Sequence, residues 1–553
     1  MSPKLSPREE LIRIQRMLVE RYRDDIERTL EDSSGLLKVY QQEHDAEVES
    51  YERISGKAEL ISEVINAGLV YVGDFHSLRA SQTTFLKLIR ETVRIRPKIC
   101  LALEAFNASD QHHLDAYLKR RIKFTTLLRR VDFDRTWGFG ADVYESILGL
   151  ARERGLPVVG INHKVGGRHA LVKRDEGAAR IIARLSSEHP EHIVFVLDGE
   201  LHVADCHLPS RVRALLASQG IERRRLILYQ NPEQIYWLIA ERKLEQVADV
   251  VRLADYRYAL LSSTPLVMYQ SYLNWLYDQQ ELVQGTHPGW TDGDSVDYNS
   301  QVHDLVQIIA EFLGITEVAL DNFSVYCVSD LDFLESMISE GFNREQIAQI
   351  KQQILKRESY FIVGRNIIYL ASLSVDHAAE ESTHYINARC AGLDQREHSA
   401  REDFYQRVMR EALGFFGSMV INPKRQFYDI DDFTEMLSTR AEPTEERNRE
   451  LYRISRYVLL HKEYEREYLA GRRRATKRYS AIWSQPFDIH LGTAHGLGYM
   501  LGERMFQSVG WGIIERSEVK RLFFDDFKRR GSAQRAYMDL VARLIDAPSA
   551  RTF

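Results

Sequence analysis

The sequence predicts an α/β fold, a mostly parallel sheet flanked by helices, followed by a mainly α-helical C-terminal region. Three observations carry that expectation. Five short apolar runs (Gly68–Gly73, Ile99–Leu103, Pro157–Ile161, His192–Leu197 and Arg225–Tyr229) lack strict polar/apolar alternation. Strands buried on both faces have this character. Amphipathic stretches such as Gln82–Arg94 and Val143–Arg154 separate the runs, as helical crossovers between parallel strands require. Four of the runs then end in glycine, histidine or a carboxylate, at the rim where such sheets hold ligands.

Each element has its own signal. Ser6 caps a first helix, Pro7 takes the first helical position and Glu9 completes a capping box. Leu11, Ile14, Leu18, Ile26 and Leu30 give that helix one apolar face, so residues 1–55 form a helical arm. Residues 56–284 hold the apolar runs, with Arg257–Leu261 a sixth and weaker strand. Turn formers at Gly285, Pro288, Gly289 and Gly293 mark a domain boundary in Gln284–Tyr298. Residues 290–553 form the helical domain, with helices at Asp330–Ser339, Arg344–Lys356, Val375–Cys390 (closed by Gly392) and Ala400–Leu413. A short hairpin is expected around Tyr360–Tyr369.

Composition narrows the function classes. The chain has 553 residues, 28% of them charged and 44% hydrophobic, with a net charge of −6. That balance excludes a chain-wide basic field, and no nucleic-acid partner is expected. No apolar stretch approaches the roughly 20 residues of a membrane span. Met1–Asp32 is charged throughout, and Cys100, Cys206, Cys327 and Cys390 form no closely spaced pair. A cytoplasmic protein with reduced thiols is the expectation.

The strand ends hold the chemistry. The first run ends in Gly73-Asp-Phe-His76, the second in Glu104, the third in Asn162-His163 and the fourth in Gly199-Glu-Leu-His202. On one rim these converge His76, Glu104, His163 and His202, with Asp74 and Glu200 beside them. Glycine at 73 and 199 lets the chain leave the sheet tightly, or lets a ligand approach the backbone. Imidazole plus carboxylate suits a divalent transition metal, with Gly73, Asp74 and Gly199 lining the cofactor site. The same groups without metal suit acid–base work, in which Glu104, His163 and Glu200 are the catalytic candidates.

Residues from about 60 to 280 resemble the ChaN-like haem-binding family, of one superfamily with the Tiki proteases and erythromycin esterases. The matching pieces are Val72–Ser77, Leu103–Phe106, Gln111–Tyr117, Trp137, Tyr144, Val158–His163, Gly199–His202, Leu208-Pro209 and Ser263–Leu273. The resemblance implies haem as ligand, often bound through a tyrosine and with homodimerisation. For Tiki-like members it implies a metal-dependent hydrolytic centre that maps onto His76, His202 and Glu104. Tyr117 and Tyr144 lie in matching segments, and Cys206 and His207 lie near the pocket. The expectation is a haem- or metal-binding protein, with a metal-dependent hydrolase as the alternative.

The helical half holds one further candidate. His377, Glu381 and His384 fall at i, i+4 and i+7, so they share a helix face. A solvated polar face is the competing reading. The glycines of Leu491–Gly498 suit tight helix packing, and the basic run Gly471–Arg478 reads as a solvated surface.

Overall fold

The computed structural model describes residues 6–29, 35–165, 169–245, 247–284, 298–327, 359–362, 365–371, 374–393, 400–438, 446–472 and 476–545. The helices expected at Asp330–Ser339 and Arg344–Lys356, and most of the boundary segment, lie outside them. The chain divides into two compact units, one drawn from Leu18–Pro288 and the other from Met1–Met17 with Gly289–Ala550.

The α/β unit is built on eight strands. They are β1 (Arg53–Ser55), β2 (Leu69–Asp74), β3 (Ile99–Asn107), β4 (Val158–Asn162), β5 (Ile193–Gly199), β6 (Arg225–Gln230), β7 (Val250–Ala254) and β8 (Arg257–Leu260). Their order across the sheet is β1-β7-β8-β6-β2-β5-β3-β4. The six strands from β8 to β4 run parallel, and only β7 opposes its neighbours. All six apolar runs of the sequence became strands. The two that were not anticipated, β1 and β7, pair at the edge away from the site.

Direction of travel sorts the helices. From β2 the chain moves outward to β3 and β4, and helices Arg79–Ile95 and Asp142–Arg154 pack on the face that carries Val70, Val72, Leu101 and Leu103. It then returns to β5, between β2 and β3, and crosses to β6. Helices Ala170–Glu188 and Leu208–Ser218 cover the opposite face, with Leu69, Tyr71, Val194 and Val196. Crossovers of one hand require this separation when the direction reverses. β2, β3 and β5 are buried along their whole length between the two layers, which explains their unbroken apolar runs.

In the other unit the first helix begins at Pro7, and Ser6 and Glu9 exchange the two bonds of a capping box. Helix Val375–Ala391 ends at Gly392 in the left-handed conformation. It packs against Ala400–Ile421, which in turn packs against Phe487–Gly510. A Cβ at Gly502 would stand 2.4 Å from the Ala412 carbonyl oxygen, and one at Gly498 would stand 2.4 Å from Glu411 Cβ. Glycine is needed at both points for that close approach; Gly498 closes the stretch Leu491–Gly498 expected to pack tightly, and Gly502 lies one turn beyond it. The expected hairpin is present as β10 (Tyr360–Ile362) against β11 (Ile367–Leu370), with β9 (Ser324–Cys327) added in parallel. Among the described residues, no helix is long and apolar enough to cross a membrane.

Candidate functional site

The carboxyl ends of β2 and β5 lie side by side, with β3 next to β5. β2 stops at Asp74 and delivers His76 over the rim, and β5 stops at Gly199 and delivers His202 one turn later. β3 runs on to Asn107 instead of ending at Glu104. Its register against β4 shifts between Leu103 and Asn107, and Glu104 lies in that irregular stretch. Gly160 on β4 makes the shift feasible, because a Cβ there would meet the Phe106 carbonyl oxygen at 2.6 Å.

These three side chains converge. His76 Nε2 is 3.4 Å from Glu104 Oε2. Glu104 Oε2 also accepts the Gly199 amide at 2.8 Å. A Cβ on Gly199 would lie 3.3 Å from His76 Nε2, 3.3 Å from His202 Cδ2 and 3.5 Å from Glu104 Oε2, so the glycine sits under the point where they meet. Glu104, Asp198 and His202 each bring one donor atom within 4.8 Å of the others.

Each imidazole is held from behind. His76 Nδ1 donates to Asp74 Oδ2 at 3.0 Å, and Asp74 is itself fixed by Gln82 Nε2 at 2.6 Å and the Tyr144 hydroxyl at 3.3 Å. His202 Nδ1 donates to Asp175 Oδ1 at 2.5 Å, while the Tyr40 hydroxyl donates to Asp175 Oδ2 at 2.9 Å. Both Nδ1 atoms being engaged, the two Nε2 atoms are left for the centre. A carboxylate behind a ligating histidine fixes its ring and tautomer in metal sites.

The charges follow from the crowding. Burial opposes ionisation of Glu104, but His76, His202, Asp198 and the Gly199 amide outweigh it and lower its pKa to about 2. Asp198 is driven well above the usual carboxylate range by burial and by the Glu104 charge beside it. Burial disfavours the His76 imidazolium, yet Glu104 and Asp74 raise its pKa above the ordinary value.

The other expected residues lie around this centre in different roles. Glu200 folds over Gly73, where a Cβ would collide with its carboxylate; it accepts the Gln230 amide at 3.0 Å and faces His44 at 3.5 Å. His163 donates from Nδ1 to the Ile161 carbonyl at 2.9 Å and lies against Gly177, so its described contacts are with its own strand and helix Ala170–Glu188. His207 is clamped between the Leu201 carbonyl and Glu43 and stacks on Tyr40, whereas Cys206 is exposed. Tyr117 packs against Phe124 and Arg152. Asp175, Asp198, Gln82 and Tyr40 escaped the sequence reading. Asp175 lies in the charged stretch Lys173–Glu176, which looks solvent-facing, yet it is 1% exposed.

An aromatic wall stands on the His76 side. Its ring centroid is 4.5 Å from Trp137 and 5.1 Å from Phe139; Phe139 stacks on Trp275, and Trp275 on Tyr272. Such plates suit a flat apolar ligand. His76 stands between this wall and Glu104, with its Nε2 3.4 Å from Glu104 Oε2. The donor atoms that lie within 4.8 Å of one another are those of Glu104, Asp198 and His202.

Fold and site together define a class: a mostly parallel α/β unit with a buried histidine–carboxylate centre on its strand ends. Residues 60–165 match the family described as haem-binding uptake, Tiki superfamily, ChaN. Among solved structures, one described as "Cofacial heme binding to ChaN of Campylobacter jejuni" is 14% identical; the match covers 32% of this chain and 87% of that one, with a TM-score of 0.24. No curated protein matches the chain. The similarity to that family model thus lies within the α/β unit, over residues 60–165. The matched segment includes His76, Glu104 and Tyr144 and stops before Asp175, Asp198 and His202.

Proposed function

We propose that the α/β unit binds a divalent transition-metal ion through His76, His202 and Glu104. The observation that carries this reading is the paired tethering: two imidazoles, each held at Nδ1 by a buried aspartate, with Glu104 3.4 Å from His76 Nε2 and within 4.8 Å of a His202 donor. Zinc, manganese, iron(II) and cobalt all accept such a donor set. An ion held there supplies Lewis-acid activation of water or of a carbonyl. The chain's own residues do the rest. Asp74 and Asp175 orient the ligands, and the Gly199 amide steadies Glu104, with Asp198 beside it.

Haem is the ligand that the family description carries, and here it would have to lie against Trp137, Phe139 and Trp275. Metal analysis of the purified chain, followed by titration of His76→Ala and His202→Ala with Zn(II), tests the reading. Loss of one bound ion in each variant is expected. Unchanged binding in both, or a Soret band that disappears with His76→Ala, overturns it.

A further inference from the structure

The helical unit contains a second polar centre, part-buried where three helices meet. Glu380 and His384 lie one turn apart on Val375–Ala391, Glu411 comes from Ala400–Ile421, and His495 from Phe487–Gly510. Glu380, His384 and Glu411 each bring a donor atom within 4.8 Å of the others. The sequence pattern pointed to His377, Glu381 and His384; the structure groups Glu380 and Glu411 with His384 instead. We propose that Glu380, His384 and Glu411 form a second divalent-metal site, independent of the one on the sheet.

The spacing supports an ion better than a direct pair. Glu380 Oε1 and His384 Nε2 are 4.0 Å apart, too far for a hydrogen bond. Two donors on either side of an ion at roughly 2.0–2.2 Å from each take up a span of this size. The groups are also positioned from behind. Glu380 accepts from Arg425 at 2.6 Å and from the Tyr499 hydroxyl at 2.6 and 2.7 Å, and His495 Nδ1 contacts Glu411 Oε2 at 2.9 Å. Gly414 leaves room for the His384 ring, since a Cβ there would stand 2.7 Å from its Nε2.

A second observation points to a cation. Glu381 is 6% exposed, and its Oε2 is buried without a hydrogen-bond partner among the described residues. It follows Glu380 directly and feels the charges of both Glu380 and Glu411. Three carboxylates therefore share one region in which Arg425 pairs with Glu380 and His495 and Arg410 face Glu411, while Glu381 Oε2 has no hydrogen-bond partner among the described residues. Burial and the charges of Glu380 and Glu411 hold the Glu381 carboxyl well above the usual carboxylate range, and a cation between these groups would favour its ionised form. Mixed carboxylate and imidazole donors suit Mn(II), Fe(II), Co(II) or Zn(II).

Co(II) added to the full-length protein tests the site, read as ions retained per chain and as visible ligand-field absorption. In the His202→Ala background, which disables the sheet site, one Co(II) per chain is expected to remain. Adding His384→Gln or Glu411→Gln should remove it and its absorption, with helical circular dichroism unchanged. Wild type should retain two ions. If the sheet site alone is wrong, wild type and His202→Ala each retain one, and that ion is lost with Glu411→Gln. Retention that ignores both Glu411→Gln and His384→Gln, or no ion in His202→Ala, overturns the proposal. Glu411→Gln keeps the side-chain shape and decides the matter if His384→Gln fails to fold.

Discussion

Gly199→Ala probes the geometry of the sheet site without removing any ligand. The added methyl would sit 3.3 Å from His76 Nε2, 3.3 Å from His202 Cδ2 and 3.5 Å from Glu104 Oε2. Gly199 does not have a positive φ, so alanine is compatible with its backbone. Replacing glycine at such a position stabilises by about 0.4–1 kcal/mol through the unfolded chain. Two contacts tighter than ordinary van der Waals packing offset this, and the net change in stability is expected within about 1 kcal/mol. Metal binding should respond differently. Relief of those contacts moves the donors by a few tenths of an ångström, beyond the roughly 0.2 Å that metal–ligand distances tolerate. Disturbing ligand support typically lowers affinity about 10- to 100-fold, or about 1.4–2.8 kcal/mol. Thermal melts of the metal-free protein and Zn(II) calorimetry in the Glu411→Gln background read the two effects separately. Wild-type affinity in Gly199→Ala would refute the claim that the donors meet above this glycine.

Three further outcomes are expected. Asp175→Asn weakens the acceptor behind His202 and should lower Zn(II) affinity about 10- to 100-fold with little change in the melt, measured by the same calorimetry. In the metal-free protein, the raised pKa of His76 means that its pairing stabilises the fold fully below pH 6.5 and less as pH rises through the folded value. The depressed Glu104 carboxyl contributes above its ordinary 4.5, a contribution lost as pH falls toward about 2. Melts of wild type and His76→Ala should thus converge at alkaline pH; a difference that grows there contradicts the assignment. Arg425→Met leaves Glu380 buried without its cation and should destabilise the helical unit by about 3–5 kcal/mol, read by denaturant unfolding.

The sheet was legible because burial on both faces writes an unbroken apolar run. β1 has three residues, and β7 mixes an arginine into its five, so neither carries that mark. His76, Glu104 and His202 were legible because the strand ends place them. Their supports were not. Asp175 is hidden in a charged helix segment, and Asp198 sits inside a strand whose polar end passes for a turn. His163 showed the limit of the strand-end argument: it follows β4 as expected, but its ring turns onto Gly177. In the helical unit the shared-face rule selected Glu381 over Glu380. Helix Val375–Ala391 is buried on nearly every side, so no polar face marks the inward direction. The partner residues Glu411 and His495 come from helices remote in sequence, and only tertiary packing brings them to His384.

X-ray absorption at the zinc edge, on Glu411→Gln protein carrying one equivalent of Zn(II), addresses the sheet site alone. The account predicts a first shell of nitrogen and oxygen only, at roughly 2.0–2.2 Å, with outer-shell scattering from two imidazoles. With His202→Ala added, the zinc should no longer be retained and that two-imidazole scattering should vanish. A sulfur ligand, or a shell unchanged by His202→Ala, would contradict it.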